Sequence, residues 1–105
     1  MATVKIKFAA AAMQGTMYTH CGADIVPFVR AALKEGGYYD EESALFTVNG
    51  DSRDAADEVF DLTNNPGRQD EREEVYGRGR SLSSRDIVIV GEEQWLCCTF
   101  GWAEL

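Results

Sequence analysis

The chain has 105 residues, 45% of them apolar, and a formal net charge of −8. That length suits one domain, residues 1–105, large enough to build a core without disulfides or metal. The apolar content excludes global disorder, and no apolar run reaches the roughly 18 residues of a membrane span.

In chain order, Lys5 and Lys7 alternate with Val4, Ile6 and Phe8, which predicts a half-buried strand over residues 3–10 and argues against a signal peptide there. Residues 11–22 are small and polar, a loop. Asp24 is placed to cap a helix over 25–35, with Pro27 in its first turn. Ile25, Phe28, Val29, Ala32 and Leu33 give that helix one apolar face, and Gly36-Gly37 stops it. A second strand is expected over 44–49, a turn at Asn49-Gly50-Asp51, and a second helix over 52–62 with Ala55, Ala56, Val59, Phe60 and Leu62 inward. Residues 63–76 read as a long polar connection with room for one helical turn. Residues 86–90 and 95–99 form a hairpin around Gly91-Glu92-Glu93. The fold class is therefore α+β. The expected architecture is a small single domain with a sheet of about four strands, two helices on one face and a C-terminal β-hairpin pairing with the first strand.

The charge is unevenly placed. Residues 40–74 hold twelve acidic and three basic side chains, a net −9, while the rest of the chain sums to +1. Asp54, Asp57, Glu58 and Asp61 share a face of the second helix by spacing. From Asp54 to Asp61 the axial rise is about 10.5 Å. Three phosphate steps along a DNA strand rise by about 10 Å. Such a stripe can occupy a groove that normally holds nucleic acid, although a merely solvated helix face has the same spacing. Asp70, Glu71, Glu73 and Glu74 extend the acidic surface. Self-repulsion among these carboxylates lowers stability, and a basic partner relieves it. The candidate partner-binding residues are thus Asp54, Asp57, Glu58, Asp61, Asp70, Glu71, Glu73 and Glu74. The expected partner is a protein with a basic groove, with no direct nucleic-acid or membrane binding.

Constellations for chemistry are sparse. His20-Cys21 invites a nucleophile–base reading, but the chain has a single histidine and such pairs are usually assembled from distant positions. Cysteines 21, 97 and 98 give an odd count, which fits a reducing cytoplasm. Cys97 and Cys98 are neighbours on a strand, so they point to opposite faces and read as small buried apolar residues. No zinc-type spacing occurs, and no metal or cofactor is expected. Gly77-Arg78-Gly79-Arg80-Ser81 lacks the lysine and the strand–helix context of a phosphate loop. Arg80 is instead expected to pair with the acidic segment and fix this loop, since a guanidinium fork suits carboxylates. Ser81 and Ser83 are expected to bond nearby backbone and set the turn before the strand. A non-enzymatic role follows.

Gly79-Arg80-Ser81-Leu82-Ser83, then Asp86 leading into Ile87-Val88-Ile89-Val90, then an aromatic- and cysteine-containing strand and Gly101-Trp102, resembles the GRSLS-type motif of YodL-like domains in phage, plasmid and conjugative-element proteins. The similarity spans about the last 30 residues, the loop and hairpin of 77–102; Ser84, Arg85 and Cys98 depart from the pattern. The resemblance implies a mobile-element protein acting in a bacterial host cytoplasm and assigns no catalytic residue. Joined to the acidic segment, it points to an inhibitor of a nucleic-acid-handling defence complex, of anti-CRISPR or anti-restriction type. The alternative is a non-inhibitory accessory or regulatory module.

Overall fold

The computed structural model describes residues 1–10, 26–40, 45–77, 81–98 and 101–105. Five strands, β1 (Ala2–Lys7), β2 (Phe46–Val48), β3 (Ile87–Val90), β4 (Glu93–Cys97) and β5 (Trp102–Glu104), form one sheet in the order β2-β1-β3-β4-β5. All neighbours are antiparallel. Three helices accompany them: α1 (Val26–Glu35), α2 (Ser52–Asn64) and α3 (Gln69–Val75), the last preceded by a 3-10 turn at Pro66–Arg68. No helix among the described residues is long and apolar enough to cross a membrane.

The C-terminal hairpin pairs with the first strand through Val4↔Val90 and Lys7↔Ile87. Its turn is two residues long, because Val90 pairs with Glu93. Gly91 takes φ +62°, and Glu92 has no positive φ, the pattern of a type II′ turn with glycine first.

The α+β class and the presence of a C-terminal hairpin are as expected. The hairpin's second strand runs from Glu93 to Cys97 and not over 95–99, and the layout of the sheet and helices differs as well. The sheet gains β5 as a fifth strand, too short to signal itself by alternation. The two predicted helices lie on opposite faces of the sheet, not on one. Val4, Ile6, Val88, Val90 and Cys97 pack with Ala55, Ala56, Val59 and Leu62 of α2. Ile87 and Leu96, whose side chains point the other way, pack with Val29 and Ala32 of α1. Ile87–Val90 is apolar at every position because both its faces are covered.

Helix α2 forms where the sequence places it. Ala55, Ala56, Val59, Leu62 and Thr63 recur at helical spacing and are all buried, whereas Phe60, expected on the inner face, is exposed. Gly50, with φ +94°, turns the chain into it, and a Cβ there would come within 3.1 Å of the Asp54 carbonyl carbon, so only glycine fits. The polar connection of residues 63–76 contains more helix than one turn, with α3 spanning seven residues.

Cys97 and Cys98 are buried and unpaired with each other, in the clusters on opposite faces of the sheet. Burial, helped by the nearby Asp86 and Cys98, pushes the Cys97 thiol from 9.0 up to about 12. The folded chain therefore keeps this proton between pH 9 and 12, where the unfolded chain has released it. The thiol's contribution is fully present below pH 9 and is lost as pH rises through that window. Denaturant unfolding across this range should show falling stability, with a shallower fall in Cys97→Ala. Parallel falls in the two proteins would contradict the assignment.

Candidate functional site, an acidic helical face and its braces

The outer faces of α2 and α3 carry the acidic residues. Asp54, Asp57, Asp61, Asp70, Glu73 and Glu74 are exposed, and Glu58 and Glu71 are half-buried. They do not form a uniformly free stripe. Arg68, on the turn between the helices, donates from Nη1 to Glu58 Oε1 at 2.6 Å and to Asp61 Oδ2 at 2.7 Å. Its Nη2 reaches Glu71 Oε2 at 2.8 Å, and its Nε reaches Glu71 Oε1 at 3.1 Å. One guanidinium thus ties two acids of α2 to one of α3. The hydrogen bonds to Glu58, Glu71 and Asp61 raise its pKa above the ordinary arginine value, so it is charged at any working pH. Asn65 sets the geometry of the turn by accepting from Gly67 N at 2.9 Å.

Asp57 is engaged separately, accepting from Trp102 Nε1 on β5. Glu73 meets Gln69 at 3.4 Å on its own helix. Asp54, Asp70 and Glu74 make no side-chain hydrogen bond or ion pair among the described residues. The face therefore combines three carboxylates fixed by Arg68, one fixed by an indole, and an outer set held only by its helices.

Ser81 and Leu82 brace the far end of α2. Ser81 Oγ donates to the Thr63 carbonyl at 2.7 Å, and Arg72 Nη1 donates to the same carbonyl at 2.7 Å. Asn64 Nδ2 donates to the Leu82 carbonyl at 2.9 Å, and Leu82 N donates to the buried Thr63 Oγ1 at 3.1 Å. These bonds satisfy carbonyls at the helix terminus and an amide that would otherwise be orphaned. Leu82 itself is 1% exposed and fills the core between α2 and the sheet. Arg80 lies outside the described residues, as do His20, Cys21 and Asp24.

Asp86, fully buried, completes the brace. Its Oδ1 accepts from Ala9 N at 2.8 Å, and its Oδ2 accepts from Ser83 N at 2.8 Å and Ser83 Oγ at 3.3 Å. One carboxylate therefore joins the end of β1 to the loop that precedes β3. Arg85 beside it adopts φ +79°, and its carbonyl accepts from Tyr39 OH at 2.7 Å. Burial, with the nearby Asp86, raises the Tyr39 phenol well above its ordinary value, which keeps it a donor.

Among the described residues no group of three or more His, Cys, Asp and Glu side chains could hold a metal ion. The arrangement is suited to charge-directed docking. Arg68, Trp102 and Asp86 carry its geometry, and the sequence assigned no role in it to Arg68 or Trp102. No family model, curated protein or solved structure matches this chain.

Two substitutions test the braces. Asp86→Asn supplies one acceptor where two backbone N–H groups need two, and should cost about 2–3 kcal/mol. Thr63→Val removes the acceptor of the Leu82 amide and should cost about 1–3 kcal/mol. Denaturant unfolding checks both, and wild-type midpoints would contradict the brace. Arg68→Met leaves three carboxylates facing one another and should lower Tm by about 5 °C at low salt, with a smaller loss at high salt as repulsion is screened. An unchanged Tm at both salts would show that the ion pairs contribute nothing.

Proposed function

We propose that this chain is an acidic protein of a phage or plasmid mobile element that binds and inhibits a nucleic-acid-handling host defence complex. The type is anti-CRISPR or anti-restriction, and the acidic face occupies the groove meant for DNA. The observation that carries the reading is the Arg68 staple. It fixes α2 and α3 side by side, so their outward carboxylates form one anionic surface before any partner arrives. A preorganised surface loses less entropy on binding than a mobile acidic tail. The resemblance of the loop and hairpin to YodL-like domains supports a mobile-element setting in the bacterial cytoplasm. The net negative charge of residues 40–74 favours a protein partner over DNA itself, since phosphate repels carboxylate.

A second reading has its own support. Glu58, Asp61, Glu71 and Asp57 are engaged within the fold, which leaves fewer free carboxylates than the spacing implies. That favours a non-inhibitory accessory module.

The test uses a purified defence complex with labelled duplex DNA bound. The protein should displace the DNA, and added salt should weaken it. Reversing Asp54, Asp70, Glu73 and Glu74 to lysine spares the Arg68 and Trp102 contacts, so the variant should remain folded. It should lose about 100-fold in displacement. Undiminished activity of that variant, or protein and DNA bound together, rejects the inhibitor and leaves the accessory module.

A further inference from the structure

Between α2 and β5 lies a cavity of about 230 Å³, lined in part by Asp57, Phe60, Gly101 and Trp102. It is several times the roughly 30 Å³ that one water takes in the liquid, so a side chain can enter it. Its walls are unusual for this surface. Phe60 leaves 41% of its area exposed, although it sits on the helix that builds the main core. Trp102 is half-buried, and its indole N–H is directed at Asp57 Oδ1. Nothing else among the described residues bonds to the Asp57 carboxylate, and the residue is exposed.

We propose that this cavity is a clip for an arginine side chain of the protein partner. The indole N–H fixes the carboxylate, which then accepts from a guanidinium through its other oxygen. The two rings supply faces on which a planar cation stacks. An arginine suits this pairing of flat wall and carboxylate better than the compact lysine ammonium. Asp54, about one turn before Asp57 on α2 and held by no ion pair among the described residues, adds negative potential nearby, whereas Asp61 is taken up by Arg68. Arg53 acts against Asp54. Its Nη2 lies 3.4 Å from where a Cβ on Gly101 would stand, and it forms no ion pair with Asp57. Gly101 takes φ +83°, so the chain turns into β5 there without a side chain to crowd the cavity.

The clip deepens the reading of a basic partner and rests on it for the partner's identity. Its own test needs no partner. The peptide acetyl-Gly-Arg-Gly-amide is titrated into the full chain, and the Trp102 indole N–H resonance is followed, assigned with Trp95→Phe. The peptide should move that resonance saturably, with a Kd on the order of 1 mM. The isosteric citrulline peptide, which lacks the charge, should bind at least about fivefold more weakly. Asp57→Asn and Phe60→Ala should each weaken the arginine peptide by a similar factor, and Arg53→Ala should tighten it. Phe60→Ala removes an exposed ring, and Arg53→Ala an exposed charge, so both keep the test open if Asp57→Asn disturbs the fold. An equal response to arginine and citrulline, no saturable movement, or weaker binding by Arg53→Ala overturns the clip. Those failures leave the four-lysine DNA-displacement result untouched. Peptide binding without any displacement would keep the clip and remove the inhibitor reading.

Discussion

Like charges confined to one third of the chain are the constraint around which the rest of the molecule is arranged. The stretch of residues 40–74 has four acidic side chains for each basic one, and helices α2 and α3 would push each other apart without compensation. Arg68 resolves this at the point of closest approach, where the chain turns from one helix to the other. Its planar fork meets three carboxylates at once, which a lysine could not do with the same geometry. The result is an acidic face whose inner acids are neutralised and whose outer acids face solvent.

The same logic explains the serine-rich loop. A helix end exposes carbonyls, and an irregular loop exposes amides, so each is costly to bury alone. Here they are buried against each other. Thr63 uses its hydroxyl in two directions, donating to the Val59 carbonyl and accepting from Leu82 N. Ser81 covers the Thr63 carbonyl, and Leu82 enters the core between these polar contacts. Asp86 carries the tie across to β1. Both of its oxygens accept from backbone N–H groups, so the buried side chain has its hydrogen bonds satisfied. The segment from Ser81 to Asp86 thus serves as the joint between the acidic helix and the sheet, which gives Ser81 and Ser83 a structural role.

Much of the framework was legible in the sequence because burial leaves a periodic trace. Val4 and Ile6 alternate with lysines, and Ala55, Ala56, Val59 and Leu62 recur at helical spacing. The apolar run Ile87–Val90 is the trace of a strand covered on both faces, with α1 on one side of the sheet and α2 on the other. Helix α3 left no apolar trace, since none of its residues is buried and ion pairs hold it. Arg68 sits just after Pro66-Gly67, where composition announces a turn and conceals a staple. Trp102 meets Asp57 across 45 positions of sequence, a contact that no local pattern encodes. Asp86 stands three residues after Ser83, a spacing that signals a side-chain turn, but only the fold shows that its other oxygen reaches Ala9.

Preorganisation of the acidic face by Arg68 is the central claim, and amide hydrogen exchange measures it most directly. The amides of Tyr76 and Gly77 both bond to the Arg72 carbonyl at the end of α3, and so report on that helix alone. In the free wild-type protein they should be protected, and in Arg68→Met they should lose that protection while the amides of Val59 and Thr63 on α2 keep theirs. Exchange of Tyr76 and Gly77 at the rate of an unfolded peptide in the wild-type protein, or unchanged protection in the variant, would contradict it.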